Sequence, residues 1–214
     1  MVSIKKPSPS KSVFSAFFVP VLQTTAAFIV LLVLMATVFT RNAVYKTTVG
    51  LWEDAARKST NKARPHYNLG RLYSDQWRSD EALREYQVAE RIDPLDPVTR
   101  YNIGNTLLVL GRGPEAIPEY RAALNLQPNY PDALHNLEVA IRIQIDSAVA
   151  RKDKQAEAAW RNNLGNLFFM RMAFDKSRQE YETALRLAPG FSEAQYNLGK
   201  IFDELNRKGI TNKE

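Results

Sequence analysis

Apolar residues recur at helical spacing through most of this chain, in short runs broken by glycine and proline. Residues 98–131, VTRYNIGNTLLVLGRGPEAIPEYRAALNLQPNYP, show the pattern most cleanly. They predict two short amphipathic helices, a glycine-containing turn between them and a proline stop. The same pattern surrounds this stretch, mostly at an offset of 34 residues. Nearer the N-terminus the periodicity gives way to continuous apolarity. From Val13 to Phe39 no residue is charged, and Arg41 closes the run.

The repeat is carried by five slots. Asn-apolar-Gly triplets stand at Asn68-Leu69-Gly70, Asn102-Ile103-Gly104, Asn163-Leu164-Gly165 and Asn197-Leu198-Gly199, and Asn136-Leu137-Glu138 fills the slot without its glycine. Downstream come a small residue (Ala82, Ala116, Ser177), a tyrosine (Tyr86, Tyr120, Tyr181), an alanine (Ala89, Ala123, Ala184) and a proline (Pro94, Pro128, Pro189). Small residues let two helix backbones approach closely, the tyrosine fills the gap to the next hairpin, and proline ends the second helix. One hairpin cannot bury its own apolar face, so several must stack.

This pattern resembles the tetratricopeptide repeat (TPR) family, whose unit is about 34 residues. The resemblance implies an all-α chain, an α-solenoid of helical hairpins. Repeats are expected over 63–130, a last repeat plus a capping helix over 158–206, and short tails at 1–12 and 207–214. Counting backward, Trp52 and Ala55 take the tyrosine and alanine slots, so 41–62 reads as a truncated repeat with a second helix only. The irregular stretch is 131–157, where two triplets are 27 residues apart. It reads as one long helix to about Ala150, then a polar turn. Such a segment either splits the solenoid into two halves or is a degenerate repeat without functional meaning.

Charge and residue inventory exclude more than they assign. The formal net charge is +6, yet from Arg41 onward 26 basic residues face 23 acidic ones. That is not the footprint of a nucleic-acid surface. Cysteine is absent and the two histidines, His66 and His135, are far apart in sequence, so no metal, cofactor or catalytic cluster is expected. Adjacent acids such as Asp80–Glu81 do not face each other on a helix. The uncharged run exceeds the roughly 20 residues that cross a bilayer as a helix, so 13–40 is expected to be a transmembrane helix. Basic residues flank it on both sides and leave its orientation open.

In TPR proteins the first helices line a groove, and the resemblance implies a site for an extended peptide or partner helix. Its expected residues are Arg64, Tyr67 and Arg71 in the first repeat, and Tyr101, Asn105 and Leu108 in the second. His135 and Arg142 come from the irregular unit, Asn162, Asn166 and Phe169 from the last repeat, and Tyr196 and Lys200 from the terminal helix. The alternative for each is packing between hairpins. Packing is also the expectation for Trp52, Trp77 and Trp160. A two-carboxylate clamp of the chaperone-binding type is argued against by Tyr67, which holds its first lysine slot. The expected function is a membrane-tethered scaffold without chemistry. The alternative is an accessory subunit of a membrane complex, in envelope glycosyl transfer, pilus or secretion assembly, or cytochrome biogenesis. The join after the apolar run also resembles the end of glycosyltransferase-type membrane proteins whose repeats lie outside the cytoplasm. That implies a bacterial inner-membrane protein with periplasmic repeats.

Overall fold

The computed structural model describes residues 13–207, and the expected tails at 1–12 and beyond 207 lie outside them. The helices are α1 (Val13–Lys58), α2 (Ala63–Asp75), α3 (Ser79–Ile92), α4 (Pro97–Val109), α5 (Gly113–Leu126), α6 (Pro131–Ala150), α7 (Lys154–Met170), α8 (Phe174–Leu187) and α9 (Ser192–Arg207). Among the described residues there is no strand. The chain divides into two compact units, 1–51 and 52–214.

In the first unit α1 is helical from Val13 onward. Its apolar side chains between Ala27 and Phe39, among them Phe28, Leu31, Met35 and Phe39, are exposed, whereas Val49 is buried. Among the described residues no helix is long and apolar enough to cross a membrane. Within the uncharged run side chains are described only from Ala27 to Phe39, so the rest of the expected 13–40 span lies outside them.

The second unit is an α-solenoid of hairpins, each closed by the same device. A Cβ placed on Gly70, Gly104 or Gly165 would meet the ring of Tyr86, Tyr120 or Tyr181 at 2.8, 2.6 and 2.5 Å respectively. The first helix therefore presents bare backbone to a fully buried tyrosine of the second. One turn earlier on that second helix, Ala82, Ala116 and Ser177 are buried at the same crossing. Ser177 Oγ also donates to the Gly165 carbonyl at 2.8 Å. Asp96 caps α4 by accepting from the Val98 and Thr99 amides, with Pro97 pre-set at the first helical position. The second helices α3, α5 and α8 stop two residues before Pro94, Pro128 and Pro189.

A polar staple recurs beside each crossing. His66 Nδ1 lies 2.7 Å from Glu85 Oε2, Arg100 Nη1 3.1 Å from Glu119 Oε2, and Arg161 Nη1 3.1 Å from Glu180 Oε2. Each cation-type residue precedes its triplet asparagine by two positions, and each glutamate precedes its tyrosine by one. Arg100 additionally pairs with Glu90 of the preceding hairpin. These pairs are half-buried and lock the register of one helix on the next.

The irregular stretch resolves into α6 and the start of α7. Its turn is closed as the hairpin turns are. The Lys152 amide bonds to the Val149 carbonyl and the Asp153 amide to that of Ala148, with Lys152 at φ 57°. The same pair of bonds, with a positive φ at the middle residue, closes the turns at Trp77, Gly111 and Met172. So α7 is the second helix of a hairpin with α6 and also the first helix of a hairpin with α8. No separate second helix intervenes. Two packed helices joined by so short a turn run antiparallel. First helices before the break (α2, α4, α6) therefore run opposite to those after it (α7, α9). On α9, the last helix among the described residues, Ile201 and Leu205 cover Tyr181 together with Phe169, Phe174 and Leu198.

Candidate functional site

The first helices carry the expected site residues, and the structure sorts them into two kinds. Arg64, Arg71 and His135 are exposed, and no side-chain hydrogen bond or ion pair engages them among the described residues. Arg142 is exposed and bonded only to Glu138, one turn back on its own helix. Tyr196 is 64% exposed, with Lys200 Nζ lying 4.5 Å over its ring. Val109 and Ile143 add exposed apolar positions to α4 and α6.

Tyr67 and Tyr101 are half-buried. Their rings lie 5.9 Å from Tyr86 and 6.0 Å from Tyr120, and Tyr101 is also 5.0 Å from Tyr130. Burial, then the Tyr101 hydroxyl, pushes the Tyr130 phenol up to about 12. Burial also raises Tyr86 and Tyr120 above the ordinary phenol range. At the N-terminal end of this unit, burial and donation to Glu53 Oε1 push Tyr73 up to about 12.

A ladder of amides connects successive first helices. Asn102 Nδ2 donates to the Tyr67 hydroxyl at 3.4 Å, and Asn136 Nδ2 to the Tyr101 hydroxyl at 3.3 Å and to Asn105 Oδ1 at 2.8 Å. Asn197 Nδ2 donates to Asn162 Oδ1 at 3.0 Å and Asn166 Oδ1 at 3.1 Å. Asn105 and Asn166 each accept a second bond, from Tyr120 at 2.8 Å and Tyr181 at 2.6 Å.

The ladder engages three of the expected groove residues. Asn162 is 1% exposed, with its Nδ2 donating to Glu193. Asn105 and Asn166 spend both carbonyl lone pairs inside the ladder. All three hold helices together; Asn105 and Asn166 are half-buried, and Asn166 also lines a pocket between α5, α6 and α7. Leu108 is half-buried, and Phe169 packs edge-on against Phe174 at 5.6 Å. Trp77 corrects the packing expectation in the other direction. It is 84% exposed, at φ 61°, where the next repeat has Gly111. Trp52 and Trp160 are half-buried.

The ladder stops at the break. Asn163 has the triplet slot, but no first helix stands one repeat before α7. Its Oδ1 instead accepts from Arg121 Nη2 of α5 at 2.9 Å. Between α5, α6 and α7 lies a pocket of about 190 Å³. Its floor is Leu137, Ile141 and Leu167, its rim Arg121, Asn125 and Asn163. No residue motif announced it. The one signal was the shortened offset between Asn136 and Asn163.

Residues 67–133 match the model of the tetratricopeptide repeat family. No curated protein matches the chain. Among solved structures, the first TPR of Spaghetti (RPAP3) bound to an HSP90 peptide is similar at 22% identity, covering 69% of this chain and 95% of that one, with a TM-score of 0.35. YrrB, a TPR protein with an unusual peptide-binding site, is similar at 20% identity over 72% of this chain and 84% of that one, TM-score 0.42. MamA from Desulfovibrio magneticus RS-1 is similar at 21% identity over 69% of this chain and 85% of that one, TM-score 0.38.

Proposed function

We propose that this chain, which matches the tetratricopeptide repeat family over 67–133, is a scaffold that holds other proteins at a membrane. The observation that carries the binding reading is the division of labour on the first helices. Amides and tyrosines close the array internally, and Arg64, Arg71, His135 and Arg142 are left on the surface beside exposed Val109 and Ile143. A few arginine and aromatic anchors carry most of the energy in interfaces of this kind. Because α6 and α7 run oppositely, the binding face is the row α2–α4–α6, and Tyr196 and Lys200 on α9 belong to a separate face.

The membrane reading rests on the sequence of the run Val13–Phe39, 27 residues without a charge. The exposure of its described side chains, Phe28 to Phe39, agrees with an apolar solvent around them. By the resemblance of the following segment, the repeats sit on the non-cytoplasmic side of a bacterial inner membrane.

Two measurements test this. Alkaline carbonate extraction should leave the full chain in the membrane pellet, and release into the supernatant would remove the anchor. Photo-crosslinkers at Tyr67, Tyr101 and Tyr196 should capture a protein at the first two positions. Crosslinks confined to positions on α3, α5 and α8 would refute the assigned face.

A further inference from the structure

The pocket at the break has a chemistry of its own. In an unbroken array the triplet asparagine spends its NH2 on the preceding first helix, as Asn102, Asn136 and Asn197 do. Asn163 cannot. Arg121 offers only donors, so Asn163 turns its carbonyl toward the guanidinium and its NH2 away. That NH2 has no hydrogen-bond partner among the described residues. Arg121 is exposed, and no carboxylate among the described residues pairs with it. Arg100, Arg112, Arg142, Arg161 and Arg171 each hold a glutamate, whereas Arg121, like Arg64 and Arg71, does not, and it alone of these three lines a pocket that includes a free amide. Asn125 adds a further exposed amide from the next turn of α5.

Below this rim the floor is apolar, with the Asn166 amide at its side. Ile141 is 0% exposed, Leu137 and Leu167 are buried, and Met170 flanks the opening with an exposed side chain. The volume, about 190 Å³, is below the range of drug-sized ligand sites, about 300–1,000 Å³, but exceeds a cavity of about 150 Å³ that takes one benzene. It fits one aliphatic side chain. No acidic residue lines the pocket. A cation and free amide donors above a partly open slot with an apolar floor select an apolar group with a carboxylate next to it.

We propose that this pocket binds the C-terminal residue of a partner protein, an aliphatic residue whose free carboxylate sits on Arg121 and Asn163. The proposal rests on the scaffold reading for its protein partner, but it places the contact on the α5–α6–α7 side of the break, away from the row α2–α4–α6. The slot exists because α7 serves two hairpins. An unbroken array would place a second helix between α6 and α7.

The test uses the full chain in mild detergent and two fluorescent pentapeptides ending in leucine, one with a free carboxylate and one amidated, read by anisotropy. The free acid should bind, and the amide should bind at least about tenfold more weakly, as expected for the loss of one charge-assisted pair. Arg121→Gln should reduce free-acid binding by a similar factor, with an unchanged melting curve because Arg121 is exposed. Met170→Phe, which narrows the opening from the surface, should weaken it too. Arg71→Gln, on the other face, should not change it. Equal binding of acid and amide, binding of neither, or an Arg121→Gln protein that binds as the parent does would each overturn the proposal. Displacement by 4-methylpentanoate at the concentration at which the peptide itself competes would assign the slot to a small free acid and overturn the commitment to a protein terminus. The two readings fail separately. Crosslinks at Tyr67 and Tyr101 with no peptide selectivity would leave the scaffold standing without this pocket.

Discussion

Glycine-to-alanine substitution in the triplet should have opposite signs at Gly104 and Gly199. In a helix interior the exchange is favourable by about 1 kcal/mol, because alanine loses less backbone entropy. At Gly104 the new Cβ would stand 2.6 Å from Tyr120 Cε1 and 2.9 Å from Cδ1 and Cζ. The ring has no room to yield: Tyr120 is fully buried and its hydroxyl is tied to Asn105, which also holds Asn136. Overpacking of this kind costs about 1–3 kcal/mol, and a displaced ring forfeits a hydrogen bond worth about 1 kcal/mol. The net expectation is a destabilisation of roughly 1–3 kcal/mol. At Gly199 nothing lies within 4 Å of the added Cβ, since among the described residues no second-helix tyrosine stands against it. There the propensity gain stands alone, a stabilisation of up to about 1 kcal/mol. Urea unfolding followed by circular dichroism on both variants reads the difference. Stacked repeats lose structure unevenly, so the α4–α5 hairpin is best followed also by amide exchange. A Gly104→Ala protein as stable as the parent, or a Gly199→Ala protein destabilised to the same extent, would refute the crossing mechanism.

Asn162→Ala should cost about 1–3 kcal/mol, since it removes two hydrogen bonds and leaves a gap at a fully buried position, whereas Arg64→Ala should be nearly silent in the same urea titration. Trp77→Gly should raise stability by about 1 kcal/mol, because it relieves a positive φ and gives up a side chain that is almost wholly exposed. Stability should fall in alkali. Tyr73 and Tyr130 are raised from an unfolded value near 10 to about 12. Their contribution is complete below pH 10 and lost as pH rises to about 12. Phenolate absorbance and circular dichroism recorded together should change in one step, and free titration near pH 10 with the fold intact would contradict the buried placement.

Much of the solenoid was legible in the sequence. The triplets, tyrosines and prolines each do a local job that only one residue type does well, so they recur in register and the hairpins can be read from them. The long helix ending at Ala150 was readable for the same reason. Side-chain partners were not readable. Asn162, Asn105 and Asn166 sit at first-helix positions that point inward in any such array. Only packing decided that one is buried, that all three accept from an asparagine of a later first helix and that Asn105 and Asn166 accept from tyrosines as well. The staples of His66, Arg100 and Arg161 to their glutamates were present in the sequence at constant spacing. They were missed because the first residue of the pair is histidine in one repeat and arginine in the others.

What the sequence determined by itself is therefore periodic: which segments are helices, where they turn and which residues cross. Helix periodicity and turn chemistry are short-range, so single residues encode them. What the tertiary structure decided is everything that depends on one helix too few. With α7 serving both α6 and α8, the first helices reverse direction, the amide ladder loses a rung, and Arg121 and Asn163 meet over an apolar slot. The offset of 27 residues announces a missing element, but which helix takes its place is settled by competition among apolar faces for burial. That competition sums many weak contacts between residues far apart in the chain, and no local pattern records its outcome.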